Sequence, residues 1–98
     1  MKRELVINYF KDIDRKWESL SKTLGNWSGK CDISLFVYGN RIQFNYAPNE
    51  EPVSKFYQAK TTLEFFDDYM TITESFEDFE DYTAIEFSSI NSIQTRLL

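Results

Sequence analysis

Between residues 61 and 95 the chain carries nine carboxylates and no lysine, arginine or histidine. They are Glu64, Asp67, Asp68, Glu74, Glu77, Asp78, Glu80, Asp81 and Glu86. Acids at this density suit three kinds of work: proton transfer between paired carboxyls, ligation of a hard cation, or presentation of negative charge to a basic partner. Asp67/Asp68 and Glu77/Asp78 are the closest pairs in sequence. Glycosidase-type chemistry needs two carboxyls across a deep cleft, and a chain of 98 residues has little volume to enclose one. Calcium takes about six to eight oxygens, and the acids at 77–81 lack the spacing and the glycine of an EF-hand loop. The chain has no histidine, so the usual general base and commonest metal ligand are missing. Cys31 therefore has no histidine to activate it. There is no glycine-rich phosphate loop, no nucleophile elbow and no zinc-ligand spacing. The expectation is a non-enzymatic protein, without cofactor or metal, whose acids serve binding.

The sign of the charge narrows the partner. Residues 1–60 hold ten basic groups against seven acids, so the net charge of −5 is concentrated in the later part of the chain. Direct nucleic-acid binding is disfavoured, because its affinity comes from neutralising phosphates with Lys and Arg. An anionic membrane surface is disfavoured for the same reason. A merely solvating surface normally mixes both signs, whereas these 35 residues hold one sign alone. The expected partner is thus a basic protein, such as a nuclease or nucleic-acid-binding complex, whose site is occupied by Glu64, Asp67, Asp68, Glu74, Glu77, Asp78, Glu80 and Asp81. Aromatics among the acids, Phe66 and Tyr69 foremost and then Phe76, Phe79 and Tyr82, would supply desolvated anchors. In size and charge the chain is similar to small phage-encoded inhibitors of host nucleases, anti-CRISPR proteins among them, and to DNA mimics. An immunity protein against a toxin nuclease obeys the same physics. The alternative is an assembly or scaffold module that associates through Phe36, Tyr38 and the long helix, the acids keeping it dispersed. The sequence leaves the oligomeric state open.

These residues must be held by a core, and the composition provides for one. Hydrophobic residues make up 42% of the chain and aromatics 17%, which argues against disorder and for a single domain over residues 1–98. The N-terminus shows neither an uninterrupted apolar run nor a small-residue cleavage site, and no stretch approaches the roughly 20 apolar residues of a membrane helix. With one cysteine, no internal disulfide forms. A cytoplasmic protein is expected, and the Asn26-Trp27-Ser28 sequon is taken as chance.

Val6, Phe10, Ile13, Trp17, Leu20 and Leu24 recur at alternating spacings of four and three, which predicts an amphipathic helix over residues 3–24, capped by Gly25. Cys31, Ile33, Leu35 and Val37 then alternate with Asp32, Ser34, Phe36 and Tyr38. A turn at Gly39-Asn40 would set Val37 against Ile42, Leu35 against Phe44 and Ile33 against Tyr46. The stretch 48–52 reads as a loop and 53–58 as ambiguous. A second hairpin turning at Asp67-Asp68 pairs Phe65 with Met70 and Leu63 with Ile72 on one face, and Phe66 with Tyr69, Glu64 with Thr71 and Thr62 with Thr73 on the other. Phe76, Phe79 and Tyr82 stand three apart behind Ser75, which predicts a short helix with its aromatics inward and Glu77, Asp78, Glu80 and Asp81 outward. Alternation returns at 83–87, and a last strand is preferred over a helix for the tail. The expected fold is α+β: one long N-terminal amphipathic helix packed on an antiparallel β-meander of four to six strands, with a short acidic helical insert.

Overall fold

A computed structural model of the chain describes residues 1–23, 31–46 and 60–97. Helix α1 spans Arg3–Thr23. Its stripe does what the spacing predicts: Val6, Phe10 and Ile13 are buried, while Lys11, Asp12, Arg15 and Lys16 face solvent. Arg15 pairs with Asp12 on that outer side, a contact worth little at an exposed site. The side chains of Trp17 and Leu20 lie outside the described residues. So do Leu24, the proposed cap at Gly25, the sequon, and the segments 48–52 and 53–58.

The first hairpin joins β1 (Cys31–Val37) to β2 (Asn40–Tyr46). Its register differs by two residues from the expected one: Val37 pairs with Asn40, Leu35 with Ile42, Ile33 with Phe44 and Cys31 with Tyr46. The turn is Tyr38-Gly39, not Gly39-Asn40, and both residues have positive φ, 49° and 81°. A primed turn needs positive φ at its two central residues, and glycine at the second position meets that need at least cost. A shift of two preserves side-chain parity, so the apolar face survives the correction.

The second hairpin takes the expected register. Strands β3 (Lys60–Phe65) and β4 (Tyr69–Ser75) set Leu63 against Ile72 and Phe65 against Met70. The acidic helix does not form. Residues 76–79 instead close a third hairpin from β4 into β5 (Glu80–Glu86), with the Phe76 amide donating to the Phe79 carbonyl at 2.8 Å. The threefold spacing of Phe76 and Phe79 therefore reflects two residues flanking a two-residue turn. Nor are the aromatics packed into the core there: Phe79 and Tyr82 are 57% and 67% exposed.

After β5 a short 3₁₀ turn, Phe87–Ser89, buries Phe87 and Ser89 and redirects the chain into β6 (Ile90–Leu97). The tail is a strand, but β6 pairs with β1 and not with β5. The six strands thus form two antiparallel three-stranded sheets, β2-β1-β6 and β3-β4-β5, so the meander is rolled and divided. Thr61 Oγ1 donates to the Asn45 carbonyl at 2.7 Å where β2 passes β3. Helix α1 lies against the inner faces of both sheets. Phe10 packs edge-on to Tyr46 and beside Phe65, and the Tyr9 hydroxyl meets Thr95 Oγ1 at 2.5 Å. One apolar cluster unites the three layers: Val6, Phe10 and Ile13 with Cys31, Ile33, Leu35, Phe44, Met70, Ile72, Ile85, Phe87 and Ile90.

Candidate functional site

Strand parity sorts the nine carboxylates. In the β3-β4-β5 sheet, Leu63, Phe65, Met70, Ile72 and Ile85 occupy the inner face, so their alternates face outward. The outer face carries Lys60, Thr62 and Glu64 on β3, Tyr69, Thr71, Thr73 and Ser75 on β4, and Glu80, Tyr82, Ala84 and Glu86 on β5. Asp67 and Asp68 form the tip of the β3–β4 turn. Glu77 and Asp78 form the tip of the β4–β5 turn, at the opposite end of β4, roughly 20 Å away along a seven-residue strand. Glu74 and Asp81 oppose each other on the inner-face side. The acids expected on a single face are therefore divided among the outer face, two opposite tips and one inner edge. Glu64, Asp67, Asp68, Phe66 and Tyr69 are brought together. Glu74, Glu77, Asp78 and Asp81 are not part of that group.

The β3–β4 end is the better built of the two. Phe66 and Tyr69 flank its turn with stacked rings, centroids 4.8 Å apart and planes 21° from parallel, and both rings remain partly exposed. Three hydrogen bonds hold the turn, two of them between backbone groups: the Phe66 amide to the Tyr69 carbonyl at 2.8 Å and the Phe87 amide to the Asp68 carbonyl at 3.1 Å, with the Arg3 side-chain Nε donating to the Phe66 carbonyl at 2.7 Å. Tyr69 stands directly opposite Glu86, and Glu64 sits across from Thr71, which is followed in the same row by Ala84. In that row Thr71 is fully covered and Ala84 is exposed, with Tyr69 at one end and Glu64 and Glu86 on the flanking strands. Lys60 stands on the same outer face, in one row with Ser75 and Glu80. Sequence reasoning gave no binding role to Glu86, Thr71, Ala84 or the bracing Arg3. The alternation of Tyr82, Ala84 and Glu86 was the signal for the first and third of these; the Arg3 contact spans 63 residues and has no local signature.

At the other end Phe76 and Phe79 repeat the arrangement, with centroids 4.6 Å apart and planes 20° from parallel. Their parity places them on the inner-face side, continuing the row of Glu74 and Asp81. Burial, with the facing Asp81 carboxylate adding to it, pushes the Glu74 carboxyl above the ordinary range.

The β2-β1-β6 sheet presents a different outer face: Asp32, Ser34 and Phe36 flanked by Arg41, Gln43 and Asn45 on one side and Ser92, Gln94 and Arg96 on the other. Gln43 donates to Asp32 Oδ2 at 2.6 Å and Arg41 Nε to Ser34 Oγ at 2.9 Å. Asp32 Oδ1 is buried with no hydrogen-bond partner. Phe36 there is half-buried, whereas Tyr38, in the turn, is 77% exposed. Cys31 lies buried on the inner side, its thiol pushed up by burial and, secondarily, by Asp14. Asp14 also accepts the Tyr46 hydroxyl at 2.9 Å, and burial followed by that bond raises the tyrosine. Among the described residues no three His, Cys, Asp or Glu side chains converge as a metal would require. No described helix is long and apolar enough to cross a membrane. No protein-family model, curated protein or solved structure matches the chain.

Proposed function

We propose that the protein is a non-enzymatic binding protein whose outer β3-β4-β5 face occupies a basic, nucleic-acid-binding site on another protein. The observation that carries this reading is the composition of that one face: exposed Glu64, Glu80 and Glu86, the exposed rings of Phe66, Tyr69 and Tyr82, and Asp67 and Asp68 at its tip, against Lys60 at the far end of β3. Strand neighbours on one face repeat about every 6.8 Å and adjacent strands lie about 4.8 Å apart, so the carboxylates form a two-dimensional array of negative charge. Such an array competes for the Lys and Arg groups that otherwise hold phosphates, and the rings add apolar contact that charge alone lacks. An inhibitor of a nuclease or of a nucleic-acid-bound complex, of the phage anti-defence or immunity kind, is the role this chemistry suits best. It would work in the cytoplasm, where an unpaired Cys31 stays reduced.

The experiment compares capture from host lysate by the wild type and by a Glu64→Lys/Glu86→Lys variant. A captured nucleic-acid-binding protein that the variant does not hold, and that loses its nucleic-acid binding on adding the wild type, supports the reading. A partner held equally by both refutes it. One retained undiminished at high salt through Tyr38 favours an assembly module instead.

A further inference from the structure

We infer that the partner's contact on this face is an arginine side chain, its guanidinium laid on the exposed Phe66–Tyr69 ring pair and forked between Glu64 and Glu86. This rests on the acidic-face reading above and names the group that the face receives. The ring pair is the starting point. Two aromatic rings stacked at 4.8 Å in a hairpin turn leave an outward π-face that a planar cation can cover. Glu86 lies directly opposite Tyr69, and Glu64 is two positions before Phe66 on the same face of β3. Each carboxylate is therefore within side-chain reach of a group resting on the rings. Ala84, beside them in the next row, is small and exposed, which leaves room for the aliphatic stem. The turn is already fixed by its bonds to Phe87 and Arg3, so little ordering is left to be done on binding. Lysine satisfies the charge but neither stacks flat nor presents a fork of donors.

The test uses the whole chain and three short peptides of one design, alternating glycine with arginine, with lysine or with neutral citrulline, titrated at low ionic strength while backbone amide shifts are followed. The arginine peptide should bind about five-fold more tightly than the lysine one, with shifts centred on residues 64–71 and 84–86, and the citrulline peptide should bind weakly. Tyr69→Leu, checked for native melting, should erase the preference for arginine and leave the charge attraction. Equal affinity of the arginine and lysine peptides, with shifts on this face, overturns the arginine contact and leaves the acidic-face reading standing. Binding centred on residues 74–81 overturns the assigned location. Absence of binding by both cationic peptides overturns both readings.

Discussion

Glu74 and Asp81 face each other across β4 and β5, two like charges where cross-strand neighbours normally attract. Glu74 is harder to ionise in the folded chain than in the unfolded one, so the fold holds its proton more tightly. The stability linked to this group is complete below the ordinary glutamate value of 4.5 and is lost as pH rises through the higher folded value. Glu74→Gln should therefore raise Tm at neutral pH by about 1 to 5 °C and flatten the pH dependence in that window. A variant that melts no higher, with an unchanged pH profile, would contradict this. Cys31 makes a second residue-scale case. Fully buried and with its thiol held protonated, it should react with a thiol reagent only as fast as the protein opens. Labelling of the native protein at the rate of the denatured chain would show that the site is open.

At the scale of elements, the turns explain both what the sequence made legible and what it hid. Leu63 and Phe65 against Met70 and Ile72 gave the second hairpin's register outright, because each alternation predicts the same face. The first hairpin's face was legible but not its register, since a shift of two leaves parity unchanged. The acidic segment was misread because Phe76 and Phe79 carry a helical spacing for a non-helical reason: they close a turn. Tyr38 is the only non-glycine residue at positive φ among those described, so Asp67, Asp68, Glu77 and Asp78 turn their hairpins without the primed geometry that best matches strand twist. Replacing Glu77-Asp78 with Asn-Gly should thus raise Tm by a few degrees, whereas a true helical turn there would be weakened by the glycine. Tyr38→Asn relieves a bulky residue from the left-handed region and should stabilise by about 0.5–1 kcal/mol, read from chemical denaturation. A loss of stability would show that the exposed ring is making a contact.

The whole molecule is a rolled pair of sheets around one helix, and that closure was not legible. Pairing β1 with β6 joins segments some 60 residues apart, which no local periodicity records. The charge asymmetry was legible from composition, but its division among one outer face, two tips and an inner edge depends on strand parity in the finished fold. Nine carboxylates fall within residues 61–95 with no basic residue among them and repel one another, so added salt should stabilise the protein, raising Tm by a few degrees between low and moderate ionic strength. A melting point that falls over that range would mean the acids are neutralised within the chain.

The most direct measurement is the affinity of a purified partner for the wild type and for Glu64→Lys/Glu80→Lys/Glu86→Lys, taken at low and high salt with native melting verified for both. Wild-type affinity should fall steeply with salt, and the variant should bind more than ten-fold more weakly at low salt. A folded variant that binds as tightly as the wild type, with the same salt dependence, would remove the outer β3-β4-β5 face from the function.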